Sequence, residues 1–475
     1  MRYELMKSFD KIYVLNLHGS TMRKESTEEV IDQCVFDIRQ GVAIIILVKQ
    51  NKSNSQDLAK VYYKDIYGKR SFKLEYLSSH SLQDVNFTEL TLDAPLYTFR
   101  IIDPQIKAHY DEGFKIDALM PQKVQGFKSD KDLIAIQYQK QDIEHIVEEM
   151  RSEKTEQQLR EGIGFKDTRD WKLEGSRQLL KINKQWNMYF TQVQYRPFDI
   201  RWTYLHKAVV TYPRPLIQSS IFNRKNTVLC LGQQGNVIGD DEWSLVYCST
   251  LPTDINVVPR GGIYLFPMFI YDEMGFYLPN FSHKILKAIE QNIGLHLQDA
   301  EATVREEGGF LAVDLIDYIY SVLHSTTYRD TYHDFLQNDF PTIPYPTSAD
   351  YFFRMAELGK TLRELHQLKG ITQKDFITTY PVAAQKDNNI TRIRKFEETS
   401  EGVGRVWINK EQYFDGVPTE AWNMIIAGYQ PLDKWLKDRK DKHLTGDELL
   451  HYQKIVVALD KTIRTQERID EIIEL

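Results

Sequence analysis

Apolar and polar positions change period along the chain, and each period predicts a different kind of structure. KIYVLNL, from Lys11 to Leu17, is rich in β-branched and aromatic residues and stops at His18-Gly19, the composition and punctuation of a strand. VAIIILVK, from Val42, is apolar at every position but the last, as expected of a strand buried on both faces of a sheet. VYYKDIYG, Val61 to Gly68, reads as a third strand, and the polar TMRKESTEE from Thr21 reads as a loop. Three strands are few for a doubly wound α/β sheet, which needs more strands and crossover helices to cover both faces. The first 80 residues therefore read as a remnant of an α/β sheet whose neighbouring strands are missing.

From Leu82 to Ala108 the pattern loosens, and 81–120 is expected to be a linker. A second region, 121–280, opens with helical spacing from Gln141 to Arg160 and continues in short strand-like runs broken by Gly, Pro and Asn, a mixed α+β pattern. From Phe281 onward helical periodicity prevails, in HKILKAIEQNI, LAVDLIDYIYSVLHS, YFFRMAELGKTLRELHQLKG and a last segment with Leu450, Ile455, Leu459 and Ile463 on one face. The region 281–475 is therefore expected to be mainly helical.

Composition narrows the function classes. With 475 residues, 42% hydrophobic and 27% charged, the chain is long enough for more than one core. A net charge of -7 argues against coating nucleic acid through bulk positive charge. Three cysteines without paired spacing point neither to a disulfide framework nor to a zinc site, and fit a reducing cytoplasm. The longest strongly apolar run, Val42 to Val48, is far shorter than the ~20 residues of a membrane helix.

No catalytic constellation stands out. The GxG at Gly162-Ile163-Gly164 follows no strand and reads as a helix-ending turn. No Pro-Pro pair occurs, so the Pro-Pro-aromatic loop that holds a flipped adenine is missing, and no glycine-rich turn follows the first strand. His18 at a strand end reads as a turn histidine before a catalytic base, since no partner stands beside it in sequence.

One window departs from the average charge. Between Tyr195 and Asn226 stand six Lys or Arg (Arg196, Arg201, Lys207, Arg214, Arg224, Lys225) against Asp199 alone, interleaved with Tyr195, Trp202, Tyr204 and Tyr212. Positive charge among rings is what a nucleic-acid groove requires. Arg214, Arg224, Lys225 and Tyr204 are accordingly candidate DNA contacts. For Arg196 and Arg201 an equal alternative stands open, an Arg–Asp ion-pair corner bracing the turn at Pro197. Gln233 and Gln234, between glycines in LGQQGN, could pair with adenine or cap a polar hairpin, and Arg260 in VVPRGG carries the same two readings. Lys128 and Lys131 in FKSDKD could touch phosphate or stay solvated.

Together these strings resemble type ISP restriction-modification enzymes, in which helicase, adenine methyltransferase and target-recognition regions share one polypeptide. FDKIYVLNLHGS, VFDIRQGVAIIILVK and VYYKDIYGKRSFKLEYL are similar to the end of their methyltransferase domain. YRPFDIRWTYL, YPRP and YLFPMFIY are similar to their target-recognition region; LIDYIYSVLHSTTYRDTYHDFLQNDFPTIPYP, LGKTLRELHQL, VWINKEQYFDGVP and GYQPLDKWLKDRK are similar to the segment that closes them. The resemblance implies an α/β remnant of a methyltransferase sheet, an α+β target-recognition domain and a helical C-terminal region. It further implies double-stranded DNA as partner and adenine-N6 methylation with S-adenosylmethionine as the activity of the complete enzyme. No catalytic or cofactor-binding residue carries over, so this chain alone is expected neither to bind the cofactor nor to methylate. Two partners then fit: a separate chain supplying the missing methyltransferase half or, for a non-catalytic subunit or truncated gene product, another protein docked on the half-sheet.

Overall fold

The computed structural model describes residues 1–20, 31–38, 40–50, 57–92, 94, 97–233, 243–337, 339–381 and 388–475. The polar stretch from Thr21 and Gln234 lie outside the described residues. Two compact units emerge, Met1–Ala108 and His109–Val237 with Trp243–Leu475.

In the first unit, helix α1 (Arg2–Ser8) precedes strands β1 (Lys11–Asn16), β2 (Ala43–Val48), β3 (Lys60–Asp65) and β4 (Thr88–Glu89). They form one sheet in the order β2-β1-β3-β4, with β1 and β3 parallel and β2 antiparallel to β1. Ile12, Val14, Val61 and Tyr63 alternate inward and pack with Met6 and Ala59 into a core. Helix α2 (Arg70–Ser79) is tied beneath by Lys73, whose buried ammonium meets Asp32 at 2.6 Å and donates to the Leu17 and Gln33 carbonyls. The three expected strands form, but β2 departs from expectation in burial: Ile44, Ile45, Ile46 and Leu47 are all exposed, Ile45 at 52%. Its apolar run marks a strand built for cover on both faces, and it stands at the sheet's edge.

In the second unit the stretch expected as one helix is two, α3 (Lys140–Arg151) and a shorter helix from Glu156 to Ile163. Thr155 restarts the helix with a capping box to Gln158, and Gly164 ends it at φ +87°, the turn expected for the GxG. Short strands β5 (Val124–Gln125) and β6 (Ile136–Gln137) precede the paired strands β7 (Phe190–Arg196) and β8 (Asp199–Tyr204) in sequence. Helix α4 (Pro215–Ser220) then leads to β9 (Val228–Gly232), β10 (Val246–Ser249) and β11 (Ile263–Pro267), followed by a hairpin of β12 (Phe269–Tyr271) and β13 (Tyr277–Pro279). One antiparallel sheet runs β10-β9-β11-β5, and a second runs β6-β8-β7. The segment around Asp254 stitches them: Gln194 donates to the Pro252 carbonyl, the Asp254 amide to that of Gln194, and the Ile255 amide to that of Phe127.

The C-terminal part builds its core from helices α5 (Ala312–His324), α6 (Ala349–His366) and α8 (Gly446–Asp470). A Cβ on Gly359 would fall 1.8 Å from the Asp317 carbonyl oxygen, so only glycine permits this approach of α6 to α5. Arg363 and Asp317 pair across the same contact at 2.6 and 2.8 Å. The buried stripe of α8 is Tyr452, Ile455, Val456, Leu459 and Thr462, started by a Thr445–Glu448 capping box. The region is not helical throughout: Lys395–Ser400, Val403–Trp407 and Tyr413–Pro418 form a three-stranded antiparallel sheet, and a short helix α7 (Pro431–Lys437) follows. Its turn at Glu401-Gly402 joins two strands whose alternation was masked in sequence by the charged run KFEETS.

Candidate nucleic-acid interface

The basic window divides into a buried part and a surface part. Arg196 and Arg201 lie on β7 and β8, each 7% exposed. Arg196 donates to Asp254 at 2.8 Å and to the Tyr195 carbonyl, while Arg201 pairs with Asp199 at 2.8 Å. Arg439, from the turn after α7, meets the other oxygen of Asp199 at 2.9 Å. The cations and rings alternate: Arg196 lies 3.8 Å from the Tyr195 ring centroid and Arg201 4.0 Å from it, Arg201 lies 4.3 Å from that of Tyr138, and Arg439 lies 3.6 Å from that of Trp435. Such stacking suits the weakly hydrated guanidinium.

Burial works to raise the Asp199 carboxyl, but Arg439 and Arg201 on either side override it and hold it well below the usual carboxylate range. At Asp254 burial prevails and the carboxyl is pushed up to about 6, with one oxygen lacking a hydrogen-bond partner among the described residues. Of the two readings open at Pro197, the structure builds the ion-pair corner. Tyr204 is wholly buried against Phe190, Tyr189 and His206, so it belongs to the core and not to a surface ladder of rings.

The remaining candidates fall at the two ends of the sheet around β9. Gly232 pairs with Ile263, and the Gly126 amide donates to the Ile263 carbonyl. The chain leaving β9 at half-buried Gln233, the turn holding exposed Arg260, and Gly126 therefore share one end of the sheet. Arg214 joins them there, donating to the Gly126 carbonyl at 3.4 Å and to the Gln125 side chain at 3.2 Å. Lys128 follows on the same edge, its backbone paired with Tyr212, its ammonium 5.8 Å from that ring centroid and 2.6 Å from Asp130. Lys131 sits 4.0 Å from the Trp171 ring centroid, and burial pushes its ammonium down to about 8.

Arg214 and Arg260 both hold positive φ, +63° and +62°. For a non-glycine residue this costs on the order of 1–3 kcal/mol and persists where surrounding structure imposes it, a pattern concentrated at functional sites. Gly261 follows at φ +67°, so the Arg260 turn is left-handed at two successive residues.

Arg224 and Lys225 precede β9 and lie at its other end, ~13 Å away at the rise of a strand. Arg224 stacks 4.9 Å from the Tyr271 ring centroid, and Lys225 is exposed. Sequence reasoning missed Gln125, Arg439 and Asp254. Their partners stand 89, 240 and 58 residues away, beyond the reach of any local pattern.

The carboxyl ends of the parallel strands β1 and β3, where an α/β sheet would hold a nucleoside cofactor, are filled. His18 meets Asp65 at 2.6 Å through Nε2 and Asn16 at 3.4 Å through Nδ1, as a structural turn histidine does. Tyr63 donates to the same Asp65 oxygen. A Cβ on Gly19 would lie 2.3 Å from the Cys34 backbone, so this glycine serves close packing and forms no phosphate or amino-acid cradle. At these strand ends the described residues pack against one another. No helix among them is long and apolar enough to cross a membrane.

Residues 118–469 match the family model of the type ISP C-terminal specificity domain. Among solved structures, the ATP-dependent type ISP restriction-modification enzyme LlaBIII bound to DNA is similar over 100% of this chain and 31% of its own, at 19% identity and a TM-score of 0.66. The DrdV–DNA complex, determined by cryo-EM, gives 18% identity and a TM-score of 0.66 over 99% of this chain and 48% of its own. A nuclease-deletion mutant of the type ISP enzyme LlaGI with a DNA substrate mimic gives 18% and 0.63, over 100% and 44%. This chain thus spans less than half the length of each of these three structures. No curated protein matches it.

Proposed function

The chain belongs to the type ISP C-terminal specificity domain family, and on that premise we propose that it recognises a duplex DNA site for a restriction-modification system, using the sheet end built by Arg214, Gln233 and Arg260. The observation that carries this reading is the convergence of two arginines in left-handed backbone with a glutamine at one sheet edge. Arginine and glutamine are the side chains that grip guanine and adenine bidentately in the major groove. Arg224 and Lys225, about four base-pair rises away at ~3.4 Å each, are suited to phosphate and set register. Arg196, Arg201 and Tyr204 hold the scaffold from within.

The methylation this recognition serves is adenine-N6 transfer from S-adenosylmethionine, with cofactor and catalytic loop on a companion polypeptide. What supports a companion is β2. Among the described residues its outer edge has no strand partner in the sheet, and four consecutive apolar side chains stand exposed along it, a combination that natural proteins cover or pair. The same feature favours a second reading, a non-catalytic subunit that docks through this edge. Methyl transfer to duplex DNA from labelled S-adenosylmethionine separates the two. This chain alone is expected to transfer none, and the chain with a methyltransferase half restored is expected to methylate adenine. Transfer by the chain alone would refute the assignment of the cofactor to a companion. Salt-sensitive binding to a selected duplex tests the recognition role, and equal affinity for all duplexes at moderate salt would end it.

A further inference from the structure

We propose that the groove beside the β12–β13 hairpin docks a cationic amphipathic polypeptide segment. One wall is the hairpin itself. Its tip is closed by the Asp272 amide donating to the Phe276 carbonyl at 2.9 Å, the Gly275 amide to the Asp272 carbonyl, and the Phe276 amide to the Asp272 carboxylate. Gly275 takes φ +91°, which this turn requires. Cross-strand Tyr271 and Tyr277, with ring centroids 4.9 Å apart and planes tilted by 31°, stiffen the pair. On a hairpin so fixed, Phe276 and Leu278 are nonetheless 70% and 74% exposed, and Ile270 pairs with Leu278 in register.

The facing wall runs from His296 to Glu306 and is fixed as well. The buried Gln298 side chain donates to the Val304 carbonyl at 3.1 Å and accepts from the Glu306 amide at 3.2 Å. Between the walls lies a cleft of about 1100 Å³, larger than most small-molecule sites. Its charged lining is Asp272, Asp299, Glu301 and Glu306, and among the described residues no Lys or Arg lines it. An apolar wall with an acidic border repels DNA and anionic lipid alike and attracts a partner of positive charge. A segment that sets apolar anchors on Ile270, Phe276 and Leu278 and Lys or Arg against the carboxylates satisfies both features. Arg224, on the neighbouring Tyr271 ring, leaves the hairpin to divide a basic surface from this acidic groove.

The test uses the full chain and two labelled helical peptides, one with leucines on one face and lysines on the other, the second with glutamates in place of the lysines. The lysine peptide is expected to bind, more weakly as salt rises, and the glutamate peptide is not. Phe276→Ser with Leu278→Ser, and separately Glu301→Lys with Glu306→Lys, are each expected to weaken it about tenfold. All four side chains are exposed, so thermal unfolding should not change, and duplex DNA binding should not fall. Indifference to the peptide's charge, or to both double variants, overturns the proposal. So does loss of duplex binding in the Phe276/Leu278 variant with peptide binding intact, which would make the hairpin a wedge between DNA bases.

Discussion

Arg201 and Arg214 stand thirteen positions apart in one basic window, yet their surroundings are opposite. Arg201 is buried between two tyrosine rings with its charge met by Asp199, whereas Arg214 is half-exposed at a sheet edge, donating only to neutral oxygens among the contacts resolved. The difference comes from what the fold brings to each. Asp199 serves Arg201 from two residues away and Arg439 from far along the chain, and Asp438 at 3.9 Å from Arg201 and Glu448 at 3.2 Å from Arg439 supply the remaining negative charge. A cluster of arginines in sequence is thus evidence of an interface only for those members whose charge the fold leaves unmatched.

The largest effect that sharpens this contrast lies in the buried set. Asp199→Ala removes the carboxylate that Arg201 and Arg439 share, leaving them only Asp438 at 3.9 Å and Glu448 at 3.2 Å, which should cost up to about 3–5 kcal/mol in urea unfolding. The linked pH dependence has a definite sign. Because the folded carboxyl of Asp199 is depressed, its stabilisation is fully present above the unfolded value near ~4 and is lost as pH falls through the folded one. Wild type should therefore lose more stability below pH ~4 than the Asp199→Ala variant does.

Next in size are the surface arginines. Arg214→Ala and Arg260→Ala should each weaken binding to the selected duplex by about 1–3 kcal/mol while relaxing its sequence preference. Glycine at either position tests the strain directly: Arg260→Gly should raise stability by up to about 1 kcal/mol in thermal unfolding even as it loses DNA affinity. Unchanged stability would mean that the left-handed backbone is not strained there. The smallest effect belongs to Lys131. With its ammonium pushed down to about 8 by burial, raising pH from 7 to 9 should discharge it and, if it touches phosphate, reduce the logarithmic salt slope by ~0.9. Lys131→Met should remove that pH dependence.

Much of the fold was legible because it rests on local periodicity. The strands Lys11–Asn16, Ala43–Val48 and Lys60–Asp65 and the long helices of the C-terminal part follow directly from apolar spacing. The break at Ser152–Lys154 was marked by Thr155 and Gln158, a capping box that the apolar pattern alone runs through. The exposure of Ile44 to Leu47 was illegible, since apolar composition reports what a strand is suited to face and not what faces it. For the site, the residue types were readable and their grouping was not. Register between β9 and β11 decides that Gln233 and Arg260 share an edge while Arg224 stands at the far end, and register is a long-range property. Tyr204 fell to the core because β8 is covered on that face by rings from Tyr189 and Phe190.

The most direct test of the account compares two double variants on the duplex selected by the wild-type chain and on a scrambled duplex. Arg214→Ala with Arg260→Ala should abolish the preference for the selected duplex, and Arg224→Ala with Lys225→Ala should weaken both duplexes alike and leave the preference intact. Full retention of the preference by the Arg214/Arg260 variant would contradict the assignment of this sheet end to DNA recognition.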